Sequence, residues 1–197
     1  MKLSNVFTSS RLVLAPLIYV LYFLPEWLPF INPKITILII IPIFIFMEFT
    51  DFLDGYYARR NNQVDEFGKI FDPFADVVAN VTVLFCFLMD GLLFAPFFLI
   101  IVYREFGIMF LRMKARGEGM TIGAKMGGKT KTVLYIVAAS VSMFLKLEQI
   151  YVFLPPALTR YVTYFNWLLY FAAVILSLTS FADYLTSYLN TRRENDE

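Results

Sequence analysis

Long apolar stretches separated by short polar ones set the plan of this chain. Runs rich in Leu, Ile, Val, Phe and Tyr cover about 8–24, 35–57, 72–88, 93–113, 131–147 and 162–189. Each comes close to the roughly 20 residues that an α-helix needs to cross a hydrocarbon core. The pattern predicts an all-α, polytopic integral membrane protein with six transmembrane helices. The second run is purely apolar only over 35–47, and the third opens on carboxylates, so the polar residues between them fall at two helix ends. Pro16 and Pro42 lie inside predicted helices, where neighbouring groups can re-satisfy the freed carbonyls. One membrane domain is expected over 1–190. The tail at 191–197, which contains RRENDE, reads as a disordered terminus.

Composition sharpens this picture. Hydrophobic residues make up 59% of the 197 and charged ones 17%, too apolar for a soluble globule. A formal charge of +1 gives no reason to expect nucleic acid as a partner. The placement of the 17 Lys and Arg residues is more informative. With six spans, most fall on the side that holds the N-terminus, the second and fourth loops and the C-terminus. Only Lys34, Lys146 and Arg160 fall on the other side. Cytoplasmic loops carry the cationic excess, so both termini are expected in the cytoplasm. The N-terminal MKLSNVFTSSR runs into the first apolar stretch without a small-residue cleavage site, which favours a retained helix over a cleaved signal. Cys86, the one cysteine, sits in an apolar run and reads as a small core residue. The chain has no histidine, which removes the usual general base and the usual zinc ligand. Acid–base or metal chemistry must then run on carboxylates, which suit hard cations such as Mg2+ or Mn2+.

The candidate chemistry is concentrated in DFLDGYYARRNNQVDEFGKIFDPFAD, residues 51–76. Asp51 and Asp54 are three residues apart and Asp72 and Asp76 four, so on helices each pair shares one face. Gly55 and Ala58 add very small residues near the first pair. An Asp ahead of Pro73 is also an ordinary helix start, with its side chain at the cap and proline in the first turn. The joint spacing is more specific: Asp-x2-Asp-Gly-x2-Ala-Arg-x8-Gly-x3-Asp-x3-Asp is filled at all eight positions, by Asp51, Asp54, Gly55, Ala58, Arg59, Gly68, Asp72 and Asp76.

This stretch resembles the signature of the CDP-alcohol phosphotransferases, integral-membrane enzymes of phospholipid synthesis. The resemblance implies that Asp51, Asp54, Asp72 and Asp76 form a site for two divalent cations, Mg2+ or Mn2+. It implies that Asp54, Gly55, Ala58, Arg59 and Gly68 hold the cytidine diphosphate, and that Asp76 is the catalytic base. Two dications would cancel the formal charge of four crowded carboxylates, and Arg59 offers phosphate a forked, permanently charged partner. The activity implied is transfer of a phosphatidyl group from CDP-diacylglycerol, a membrane lipid, to an alcohol, with release of CMP. Members of the family are commonly homodimers, so a homodimer is expected too.

Two further stretches bear on the acceptor. Asn5, Thr8 and Arg11 are spaced three apart at the start of the first run. They read either as an interfacial anchor with a snorkelling Arg or as the family's first helix. Arg104 and Glu105 lie inside the fourth run, and beyond them comes RMKARGEGMTIGAKMGGKTKT. These elements resemble the branch of the family whose acceptor is sn-glycerol 3-phosphate. Candidates for binding its phosphate are Arg104, Arg112, Lys129 and Lys131, in that order; a mutual ion pair of Arg104 with Glu105 is the structural alternative. Inositol phosphate is the alternative acceptor. A divalent-cation transporter is the alternative of another class, but such sites tend to lie at the bilayer midplane on broken helices. Here the carboxylates sit at helix ends beside Arg59. Asp183, in the last run, is either interior and hydrogen-bonded or near the cytoplasmic end of its helix.

Overall fold

The computed structural model describes residues 3–61, 68–119 and 127–196, with side chains described over 8–50, 71–119 and 133–193. Among the described residues the chain is entirely helical. Its helices are α1 Leu3–Trp27, α2 Pro33–Asn61, α3 Gly68–Met89, α4 Ala95–Gly117, α5 Gly127–Tyr151 and α6 Pro156–Asp196. They match the six apolar runs in order. α1, α2, α3, α5 and α6 are each long and apolar enough to cross a membrane. α4, at 23 residues, has the length as well, and Arg104, Glu105 and its basic last turn lower its hydropathy.

Local chemistry accounts for the turns. Asn32 caps α2, its Oδ1 accepting from the Lys34 amide at 2.9 Å, and Pro33 takes the first helical position, where no amide hydrogen is needed. After α3 the chain turns at Gly91, with φ of 71°, while the Leu92 amide donates back to the Phe87 carbonyl at 2.9 Å. Glycine adopts that left-handed geometry at little cost, which is why it ends helices so often. Between α5 and α6 the same role falls to Val152, at φ of 50°, an uncommon setting for a β-branched residue. α1 and α2 run through Pro16 and Pro42 without interruption.

Two expectations need correction. α3 begins at Gly68, so Asp72 and Pro73 lie inside the helix and Asp72 is not its cap. The polar tail is helical as far as Asp196, continuous with α6.

α1 packs against α3 and α2, α5 against α6, and α4 against α6 and α3. The main core, with Ile18, Ile40, Phe87, Ile101, Leu145 and Tyr170 almost fully buried, draws on all six helices. A smaller cluster of Leu111, Ala115 and Tyr188 joins α4 to α6. These two helices approach closely at Gly107, where a Cβ would sit 3.0 Å from the Phe181 ring. Large apolar side chains such as Ile35, Leu38, Phe49, Phe110, Leu168 and Phe171 point outward along the helices. A water-soluble protein rarely exposes so continuous an apolar surface, whereas lipid requires it. Several polar groups inside the bundle are paired accordingly. Asn166 Nδ2 donates to the Leu92 carbonyl and to Ser142 Oγ, both at 3.0 Å, and Tyr135 OH donates to Ser177 Oγ at 2.8 Å. The fold is that of an all-α, polytopic membrane protein.

Candidate active site

α1 and α3 run side by side in the same direction, so their first turns meet. There Thr8 Oγ1 donates to Asp72 Oδ1 at 2.6 Å, and one turn further on Arg11 donates to Asp76 Oδ1 in an ion pair. The spacing of three on α1 and of four on α3 both amount to about one helical turn, which lets the two contacts stack as rungs. Thr8 is fully buried and the Arg11 side chain is 3% exposed, whereas that of Asp76 is 37% exposed. The two α1 residues therefore hold the carboxylates from the protein side, and Asp76 keeps a face open to a ligand. A buried arginine near a membrane surface is expensive unless a carboxylate answers its charge. Of the two readings open for the Asn5, Thr8 and Arg11 face, this contact favours the helix that supports the site.

Asp51, Asp54, Gly55, Ala58 and Arg59 all lie on the last turns of α2, and Gly68 is the first residue of α3. Their side chains fall outside those described. Residues 62–67 join the two helices, so the end of α2 and the start of α3 belong to the same end of the bundle. Asp72 and Asp76 present oxygen donors one turn apart on α3, a set that fits a hard divalent cation. Among the residues with described side chains no group of three or more potential ligands comes together.

The expected acceptor residues are dispersed. Arg104 is 8% exposed; its NH1 donates to Glu105 Oε1 and Oε2 at 2.9 and 3.0 Å, and its NH2 to Ser180 Oγ at 3.3 Å. The structural pairing is thus present. Arg112 is exposed at the end of α4, with its guanidinium 5.9 Å from the centre of the Tyr184 ring. Lys129 and Lys131 lie in the first turns of α5, and their side chains are outside those described. Asp183 is exposed on α6. Cys86 is buried in the core, as expected.

One cluster had no counterpart in the sequence reading. At the other end of α3, Asp90 accepts from Tyr22 OH and pairs with Lys146 Nζ at 2.7 Å, while Lys146 lies 4.4 Å from the centre of the Tyr22 ring. This ties α1, α3 and α5 together away from the carboxylate motif. A lone Asp at the end of an apolar run and a lone Lys near the end of another were the only signals available for it.

An apolar-surfaced helical bundle with carboxylates braced at one end defines an integral-membrane protein with acidic groups gathered at one end of its helices. The sequence profile of the CDP-alcohol phosphatidyltransferases matches residues 1–178, and the chain belongs to that family. It is 41% identical over 193 residues to a CDP-diacylglycerol–glycerol-3-phosphate 3-phosphatidyltransferase of Treponema pallidum, covering 95% of this chain and 89% of that protein. A protein of the same name from Bacillus subtilis is 34% identical over 149 residues, covering 71% of this chain and 75% of the relative. A third, from Rickettsia typhi, is 33% identical over 142 residues, with 71% and 75% covered.

Proposed function

We propose that the protein is a phosphatidylglycerophosphate synthase, transferring a phosphatidyl group from CDP-diacylglycerol to sn-glycerol 3-phosphate with release of CMP. Membership of the family, together with the names of relatives that cover most of its length, supports this reading. The observation that carries it to the residues is the bracing of Asp72 and Asp76 by Thr8 and Arg11. Asp51, Asp54, Asp72 and Asp76 would hold two divalent cations, Mg2+ or Mn2+. When bound, such ions supply charge stabilisation at the phosphate oxygens and the leaving group.

The remaining work falls to the chain. Arg59 offers the diphosphate a bidentate cation, and Gly55 and Ala58 leave room for the nucleotide against α2, with Asp54 and Gly68 completing that pocket. The acceptor hydroxyl attacks the lipid-side phosphorus. Its new bond forms as the bond to the CMP oxygen breaks, and the hydroxyl proton passes to an Asp76 oxygen. Thr8 and Arg11 act through these carboxylates as positioning residues. Glu105 and Ser180 engage Arg104, which supports a structural role for it, and Arg112, Lys129 and Lys131 would then take the acceptor phosphate. Both termini and the site would face the cytoplasm of a bacterial cell membrane, where the cationic loops belong, and the working form would be a homodimer.

The decisive experiment measures CMP release from CDP-diacylglycerol by purified protein, with product mass analysis. Release should require both a divalent cation and glycerol 3-phosphate, and should yield phosphatidylglycerol phosphate. Turnover in the presence of a chelator, or a preference for inositol phosphate, would overturn the metal or the acceptor assignment respectively.

A further inference from the structure

A second polar site lies at the far end of the bundle. Lys146 of α5 pairs with Asp90, which is about 27 Å along α3 from Asp72 at the usual rise per residue. Just beyond, where α5 gives way to α6, an open pocket of about 470 Å³ is lined by Glu148, Val152, Thr159, Arg160, Tyr164 and Trp167, among others. That volume falls in the range of small-ligand sites.

Two charged groups here lack a counter-charge among the described residues, and an indole N–H lacks an acceptor. Glu148 is 4% exposed; its Oε1 accepts from Thr159 Oγ1 at 2.9 Å, and no cation pairs with it among the described residues. Arg160, in the first turns of α6, is exposed and has no carboxylate partner among the described residues. Trp167 Nε1 is buried without an acceptor. A buried carboxylate without a counter-charge is costly, so a cation belongs beside Glu148. A simple cation would meet repulsion from Arg160, and a simple anion repulsion from Glu148. A ligand with both charges a few ångströms apart satisfies the two residues at once. The Tyr164 and Trp167 rings, 5.6 Å between centres, both line the pocket, and aromatic rings of this kind attract cations. Tyr161, Phe165 and Leu168, exposed apolar residues that follow Arg160, Tyr164 and Trp167 along α6, suit attached acyl chains.

We propose that this pocket binds the head group of an aminophospholipid, with the primary ammonium on Glu148 and the phosphate on Arg160. A primary ammonium is favoured over a quaternary one because only the former has N–H groups to donate to the carboxylate. The site is separate from the carboxylate motif and does not depend on the reaction proposed for it.

The chain has two tryptophans, so a Trp27→Phe background leaves Trp167 as the only indole reporter. Full-length protein in detergent is titrated with dihexanoyl phosphatidylethanolamine, dihexanoyl phosphatidylcholine and glycerophosphoethanolamine while Trp167 emission is followed. Phosphatidylethanolamine should give a saturable change, with the choline lipid and the chain-free head group each at least about tenfold weaker. Glu148→Gln and Arg160→Gln should each weaken binding about tenfold or more, as loss of a charge-assisted contact does, and should leave CMP release unchanged. Arg160 is exposed, so its variant tests the site even if Glu148→Gln folds poorly. Absence of saturation, equal affinity for the choline lipid, or wild-type binding by Arg160→Gln would overturn the proposal. Equal binding of glycerophosphoethanolamine would overturn the lipid as the source of the head group.

Discussion

The ion pair between Arg11 and Asp76 yields the sharpest prediction. Replacing Arg11 with Met keeps an unbranched apolar stem and removes the guanidinium with its charge. Two unit charges in contact attract by about 4 kcal/mol at an effective dielectric near 20. Asp76 is 37% exposed, however, and water on its open side screens part of that interaction. A charge-assisted hydrogen bond is worth roughly 1.5–3 kcal/mol net, and the exposure of Asp76 argues for the lower half of that range. The measurement is a double-mutant cycle of Arg11→Met, Asp76→Asn and the pair, each unfolded by SDS titration from mixed micelles. The expected coupling is about 1.5–2 kcal/mol. Additive effects within about 0.5 kcal/mol would show that the two side chains do not interact, and the bracing of the site from α1 would fail with them. If the bracing holds, Arg11→Met should also lower kcat for CMP release by about tenfold or more, since a misplaced reacting group is penalised steeply.

Other substitutions test neighbouring parts of the argument. Asp72→Asn or Asp51→Asn should abolish CMP release while the protein still extracts as a folded, monodisperse species; near-normal turnover in either would refute the metal assignment. Asp76→Asn should reduce the chemical rate by about 10^2- to 10^4-fold, with a smaller change in CDP-diacylglycerol binding, measured by single-turnover kinetics. Arg104→Gln should lower thermal stability and affect both substrates alike; a selective rise in KM for glycerol 3-phosphate would return Arg104 to the acceptor site. Gly107→Val should lower the melting temperature by forcing α4 away from Phe181, and an unchanged melting temperature would contradict the close approach seen there.

The helical segments and the acidic motif were legible along the chain for different reasons. A hydrophobic run long enough to span lipid is a local property, and with no water in the bilayer core the backbone of such a run must satisfy itself as a helix. All six helices accordingly appear where the apolar runs lie, most of them extended at one or both ends by residues that hydropathy alone does not assign. The motif was legible because its eight positions are fixed in a single stretch. Asp-Pro is a sound local cap signal, so the sequence also allowed α3 to start at Asp72. The helix begins at Gly68, where Asp72 falls within reach of Thr8.

By itself, then, the sequence determined the class of protein, the number and order of its helices and the family to which it belongs. Only the tertiary structure decided which side chains meet: Thr8 with Asp72, Arg11 with Asp76, Arg104 with Glu105 and Ser180, and Asp90 with both Tyr22 and Lys146. It also decided that Glu148, Arg160 and Trp167 share one pocket. Most of these partners lie far apart along the chain, 64 and 65 residues for the two rungs between α1 and α3. Hydropathy sets how far a helix runs through lipid, but not its neighbours or its rotation about its own axis. Those follow from the packing of small and large side chains across the whole bundle, and that packing brings the polar groups together.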